Sequence, residues 1–200
     1  MDKEDGIFMK IMKQKIKLLC PQLIFLIVTF CIFMPSSLFL GNIDQFAVGF
    51  AALIPLLMAA SLITAAVVIL IGLIVPKKIC NIYAAVIFGG ALAAYVQGNF
   101  LNPDFGVLNG RQIQWSQFKV NGIISTVVWI VLIVVPPVIV CFKKDIMTNI
   151  IKWGSLFLSS IQVVTLVVLI VSSKRSVDYS YVVTKNDEFA LSSQGNVVVF

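Results

Sequence analysis

Residues 52–75 read ALIPLLMAASLITAAVVILIGLIV and contain no charged side chain. A hydrophobic run of this length matches the ~20 residues that an α-helix needs to cross the hydrocarbon core of a bilayer. Pro76, Lys77 and Lys78 follow directly, so the run ends with a proline and two positive charges. The stretch therefore predicts a membrane-spanning helix.

Four further apolar stretches approach or exceed the same length. They are residues 19–40, 79–97, 121–142 and 151–172. The chain is 60% hydrophobic and only 12% charged, whereas soluble domains carry about 25% charged residues. These features predict an all-α integral membrane protein, with a five-helix transmembrane bundle at residues 19–172.

Lysine-rich segments alternate along the chain with segments that have almost no lysine or arginine. The rich ones are 1–18, 76–78 and 143–152, and the poor ones are 41–51 and 98–120. By the positive-inside rule the rich segments lie in the cytoplasm. We therefore expect a multi-pass membrane protein with a cytoplasmic N-terminal segment and an extracellular C-terminus. Because the net charge of +6 reflects these lysines, the lipid bilayer is the expected partner and nucleic acid is not.

Small residues in the third span predict a close approach between helices. Ala85 and Gly89, and Gly90 and Ala94, are pairs four residues apart, a spacing that lets helix backbones pack closely in lipid. Because the turn at 76–78 is short, we expect spans two and three to form this tight hairpin. Spans four and five are bulkier and are expected to face lipid.

The cysteines and the lack of histidine restrict the chemistry available to the chain. Cys20, Cys80 and Cys141 lie at predicted cytoplasmic ends of spans, and Cys31 lies within a span. Disulfides belong to oxidising exterior compartments, so none is expected here. With no histidine, no Cys/His metal pattern is possible, and we expect no cofactor within this chain.

The exterior connection at 98–120 contains the candidate site residues. Its aromatic side chains are accounted for by the interfacial belt of membrane proteins. Asp104 and Arg111 are not accounted for in this way. Together with Trp115 they could bind a lipid head group or dock an exterior domain, because loops often carry binding sites. The alternative is ordinary solvation of an exposed loop, and the residues alone leave both open.

The C-terminal segment predicts the edge of a further domain. Residues 173–195 are polar and are interpreted as an extracellular linker. Residues 196–200, NVVVF, are β-branched and aromatic, and such a run predicts a buried strand. A single strand is not stable alone in water. We therefore expect a short extracellular β-type tail that is the first strand of a domain continuing past Phe200.

The order of these parts resembles the membrane region of bacterial sulfatase-like proteins of the alkaline phosphatase superfamily, which are similar in layout to lipoteichoic-acid synthases. Five segments carry the resemblance: 98–102 (GNFLN), 108–110 (LNG), 113–115 (IQW), 189–192 (FALS) and 196–200 (NVVVF). The resemblance implies the membrane anchor of an extracellular hydrolase or phosphoglycerol-type transferase that acts on a lipid-linked substrate.

The same resemblance places the divalent metal and the catalytic residues in an extracellular domain after Phe200. No catalytic residue or metal ligand can then be assigned within residues 1–200, which are expected to be inactive alone. Two other interpretations stay open. One is a complete small five-span protein, such as a permease subunit or an assembly factor. The other is a sensor or scaffold with a non-enzymatic exterior domain.

Overall fold

A computed structural model of the chain describes residues 2–43, 46, 48–103 and 115–173. Every regular element in these ranges is helical, and they contain no strand. Five helices are long and apolar enough to cross a membrane, which confirms the predicted number of spans and indicates a multi-pass membrane protein. Of the predicted linker at 173–195 only Ser173 is described, and the predicted strand at 196–200 lies outside the described residues.

The five helices are named α1 to α5 in chain order. α1 is α-helical over Asp2–Leu26, π-helical over Ile27–Phe33 and α-helical again over Met34–Gly41. α2 has a 3₁₀ turn at Phe50–Leu53 and an α-helix at Ile54–Ile74. α3 is α-helical over Cys80–Val96 and π-helical over Gln97–Leu101. α4 comprises Trp115–Phe118 and Lys119–Phe142, and α5 comprises Lys144–Ser172.

The bundle has two chemically different ends. The lysine-rich end carries the start of α1, the α2–α3 turn and the α4–α5 junction at Lys143. The lysine-poor end carries the end of α1, the start of α2 and the end of α3. α1 begins at Asp2, well before the predicted boundary at residue 19. The basic N-terminal segment is therefore part of the same helix as the first span.

The closest contact of α3 is with α4, so the prediction of a tight hairpin between spans two and three was wrong. A Cβ atom added to Gly89 would overlap the carbonyl oxygen of Leu132 and lie 3.1 Å from the Cα of Ile133. Gly90, by contrast, faces open space. The small-residue pair indicated a close approach correctly, but it carries no information about which helix approaches.

Proline explains why α4 offers a carbonyl oxygen at this contact. Pro136 is buried inside α4 and has no N–H group to donate to the carbonyl of Leu132, four residues earlier. Gly89 brings its backbone directly against that oxygen. A Cα–H group can make a weak hydrogen bond to a carbonyl at such a helix contact. Pro136 and Gly89 are therefore complementary features of neighbouring helices.

α2 is attached to α1 by small and polar contacts. Lys15 Nζ of α1 donates to the carbonyl oxygens of Leu73 at 2.8 Å and Val75 at 2.6 Å, at the C-terminus of α2. These carbonyls have no partner within their own helix, and a cation is favourable beside them. Leu19 packs against Gly72 one turn further along. α2 otherwise exposes most of its apolar surface, consistent with lipid contact.

The larger core cluster is built from α1, α3, α4 and α5, and a smaller one joins Val68 of α2 to Leu19, Ala84 and Ile87. The rings of Phe25 and Phe88 lie 5.9 Å apart, beside Val140, Met147 and Ile151. One face of α5 is thus buried against the other helices, and its remaining faces are exposed. All four cysteines are free thiols, as expected for membrane helices.

Candidate functional site

A groove of about 600 Å³ opens at the lysine-poor end between α1, α3 and α5. Its polar lining consists of Ser37, Asn42, Asn99, Asn102 and Thr165. Among the described residues, those that line it include no charged side chain, and the remainder are apolar or glycine. We call it the outer groove. It combines polar atoms with an apolar wall at the lysine-poor end of the bundle.

Two π-helical segments contribute to the outer groove. Phe33 ends the π-helix of α1, and Gly98 and Asn99 lie in the π-helix of α3. π-helical turns are rare, and they occur frequently at functional sites. At Gly98 the two helices approach closely, since an added Cβ would lie 2.8 Å from Cε of Met34. The groove therefore sits where both helices depart from regular α geometry.

Gln97 fixes the end of α3 at the edge of the groove. Its amide oxygen accepts a hydrogen bond from the indole nitrogen of Trp129 at 3.1 Å, and its amide nitrogen donates to Asn102 Oδ1 at 3.0 Å. α4 therefore holds the residue that orients the chain leaving α3. Asn102 lines the groove directly, so this short network positions one of its polar atoms.

Polar side chains of the groove donate hydrogen bonds to backbone carbonyls of their own helices. Ser37 and Thr165 donate their hydroxyl hydrogens to the carbonyls of Met34 and Ile161, at 3.0 and 2.9 Å. Asn99 donates an amide hydrogen to the Tyr95 carbonyl at 2.8 Å. These bonds leave the side-chain oxygens as acceptors. The described part of the lining is uncharged and rich in acceptors, which suits the hydroxyl groups of a polyol or a sugar.

A buried polar contact between α1 and α5 lies deeper in the bundle than the outer groove. The hydroxyl of Thr29 accepts a hydrogen bond from Gln162 Nε2 at 3.0 Å and lies 3.2 Å from Gln162 Oε1, to which it donates. Both side chains are almost fully buried, at 0% and 1% exposure. Gln22 and Ser155, each seven residues earlier on its helix, are also buried.

The buried polar residues between α1 and α5 are called the polar seam; they are Gln22, Thr29, Ser36, Ser155 and Gln162. Gln22, Thr29 and Ser36 repeat every seven residues, as do Ser155 and Gln162. α1 and α5 run in the same direction, because the first part of α1 meets Leu156 and its last part meets Thr165 and Leu169. The hydroxyls of Ser36 and Ser155 are buried without a hydrogen-bond partner. The polar seam thus sets the register of two parallel helices.

The predicted loop site is described only in part. Asp104 and Arg111 lie outside the described residues, so whether they approach Trp115 stays a prediction. Trp115 begins the 3₁₀ turn that leads into α4, and 65% of its surface is exposed. Its position at the lysine-poor end of a spanning helix fits the interfacial belt.

Sequence reasoning missed both the outer groove and the polar seam. The seven-residue spacing of Gln22, Thr29 and Ser36 was a readable signal for the seam. The groove had no comparable signal, because it depends on where two helices become π-helical.

Within the part of the chain that the structure describes, no group of three or more His, Cys, Asp or Glu side chains could hold a metal ion. Comparison with known protein families, with curated proteins and with solved structures finds no match to this chain.

Proposed function

We propose that these helices form the membrane region of an enzyme that acts on a lipid-linked substrate at the outer face of a bacterial cell membrane. The enzyme would be a sulfatase-like hydrolase or a phosphoglycerol-type transferase of the alkaline phosphatase superfamily. The observation that carries the proposal is the outer groove, a cleft at the lysine-poor end of five apolar helices whose described lining is uncharged and rich in acceptors.

The charge distribution supports an outward-facing groove. Lys13, Lys17, Lys77, Lys78 and Lys144 all belong to the opposite end of the bundle. By the positive-inside rule that end is cytoplasmic, so the groove opens toward the outer leaflet. A lipid of that leaflet can then place its head group in the groove while its acyl chains stay in the membrane.

The lining supports recognition of hydroxyl groups. The oxygens of Ser37, Asn99 and Thr165 accept hydrogen bonds once their own hydrogens are used within the helices. A glycerol or sugar head group offers several hydroxyl donors, while its acyl chains can lie against Met34 and Leu169. The groove would hold the lipid-linked substrate while an exterior domain carries out the reaction.

The divalent metal and the catalytic groups would lie outside the described helices. The described helices supply hydroxyl, amide and apolar groups at the groove, which are binding groups. Anchoring an enzyme in the membrane of its substrate raises the effective concentration of both. The helices would then bind the substrate and hold the enzyme in the membrane that contains it.

The test measures capture of a photoactivatable phosphatidylglycerol by the protein in phosphatidylcholine nanodiscs. Gly98→Leu should force Met34 into the outer groove and reduce crosslinking roughly tenfold, the equivalent of about 1.4 kcal/mol of lost contact. Gly90→Leu is the matched control, because it adds the same side chain to α3 in open space.

Crosslinked peptides should map to the end of α1 and the end of α3. Equal crosslinking of both variants, or crosslinks spread over all lipid-facing helices, would contradict substrate binding in the groove. That result would favour a small five-span protein, such as a permease subunit or an assembly factor.

A further inference from the structure

A second groove, of about 410 Å³, lies at the lysine-rich end between α1 and α5. Lys13 and Lys17 line it, and its remaining wall is apolar, with Ile16, Ile24 and Leu156. We call it the basal groove. The two lysines lie four residues apart on one face of α1, and the apolar residues continue along that face toward the middle of the bundle. Charge and apolar surface therefore follow one another along the groove.

The membrane boundary falls at the charged part of the basal groove. Trp153 on α5 is 64% exposed, and the ammonium group of Lys152 lies 5.2 Å from the centre of its ring. Exposed tryptophans and lysines at helix ends typically mark the membrane interface. The pairing of Thr29 with Gln162 sets Lys152 near the level of Leu19, so Lys17 and Lys152 are close in depth. Ile24 then lies within the hydrocarbon region.

Lys13 and Lys17 differ from the intervening Lys15. Lys15 is committed to the carbonyls of Leu73 and Val75 on α2. Lys13 and Lys17 are exposed and line the basal groove. The lining of the groove, as far as the structure describes it, includes no carboxylate that would neutralise them. Their charges are thus available to an anion at the membrane interface.

We propose that the basal groove binds one anionic phospholipid from the leaflet at the lysine-rich end. The phosphate lies between the ammonium groups of Lys13 and Lys17, and an acyl chain follows the apolar wall past Cys20 to Ile24. Clusters of lysine beside membrane helices attract anionic lipids. The continuous apolar wall explains why a lipid, with a chain attached to its phosphate, fits better than a free phosphate compound. This site is independent of the outer groove and of the function proposed for it.

The experiment titrates the purified protein in neutral detergent with dioleoylphosphatidylglycerol and counts bound lipids by native mass spectrometry. The double variant Lys13→Gln, Lys17→Gln should bind the first lipid roughly tenfold or more weakly, since each lysine contributes about 1 kcal/mol near an anionic lipid. The control is Lys77→Gln, Lys78→Gln, which removes the same charge from the same end of the bundle outside the groove. It should bind the first lipid as the unmodified protein does.

A third variant, Cys20→Trp, fills the apolar part of the groove without changing charge. Cys20 is exposed, so the larger side chain should leave folding intact. It should also weaken the first lipid, whereas dioleoylphosphatidylcholine should bind weakly to every variant. Equal losses in the Lys77/Lys78 control, equal binding of phosphatidylcholine, or displacement of the lipid by glycerol phosphate would each overturn the proposal.

Discussion

Thr29 and Gln162 are hydrogen-bonded to each other across the interface between α1 and α5, although 133 residues separate them in the chain. Both side chains are buried, so neither can exchange its partner for water. Interhelical hydrogen bonds of this kind contribute about 0.6 kcal/mol on average in membrane proteins. The pair therefore specifies how α1 and α5 align more than it adds to stability.

Replacing Thr29 should destabilise the protein by a different amount than replacing Gln162. Thr29→Val leaves the large amide of Gln162 buried and unpaired, whereas Gln162→Leu leaves a hydroxyl that can bond to a carbonyl of its own helix. We expect Thr29→Val to lower the thermal unfolding midpoint in detergent more than Gln162→Leu does. The double variant should lose less than the sum of the two. Thr126→Val is the control, because Thr126 is exposed and bonds only within α4. Strict additivity would contradict the pairing.

The close contact of α3 with α4 should not tolerate a side chain at Gly89. Gly89→Leu should destabilise the protein by about 1–3 kcal/mol, because the leucine must displace backbone atoms of Leu132. Gly90→Leu should have little effect, since that position faces open space. Thermal unfolding of both variants in the same detergent measures the difference. Similar midpoints for the two would show that α3 and α4 do not meet at Gly89.

Lys15 should stabilise the attachment of α2. Lys15→Met removes both hydrogen bonds to the C-terminal carbonyls of α2 and should cost roughly 1–2 kcal/mol, as expected for a charged donor in a partly buried site. Hydrogen exchange measured by mass spectrometry should show faster exchange in the last turn of α2. Lys10→Met is the matched control on the same helix, where the side chain is exposed. An unchanged exchange rate at residues 71–75 would argue against the role of Lys15.

The orientation of the chain can be tested with single cysteines. In a protein whose four native cysteines are replaced by alanine, cysteines at positions 44, 109 and 185 should react with a membrane-impermeant maleimide on intact cells. Positions 13 and 144 should react only after the cells are opened. The reason is the alternation of lysine-rich and lysine-poor connections. Labelling of position 144 in intact cells would reverse the topology and place the outer groove in the cytoplasm.

The number and position of the helices follow from the sequence because each depends on a local property. A run of ~20 apolar residues without charge is sufficient to specify a spanning helix. Residues 52–75 illustrate this, since the observed α-helix covers Ile54–Ile74 with a 3₁₀ turn before it. The prediction needed no knowledge of any other part of the chain.

The partners of the helices do not follow from the sequence in the same way. Gly89 indicates a close approach between helices. That the neighbour is α4 and not α2 depends on a carbonyl made available by Pro136, which lies 47 residues later in the chain. Lys15 belongs by composition to the lysine-rich N-terminal segment, and its binding to Val75 depends on how α1 and α2 are placed side by side. Neither relationship can be obtained from one segment alone.

Gly89 of α3 and Pro136 of α4 depend on each other at the contact between the two helices. Pro136→Leu would restore an N–H group that can hold the Leu132 carbonyl within its own helix, and so withdraw the nearest of the three backbone atoms that crowd a side chain at position 89. A larger residue there would then be less unfavourable than it is while the proline is present. Engineering of this bundle should therefore vary the two positions together, because each sets the range of amino acids permitted at the other.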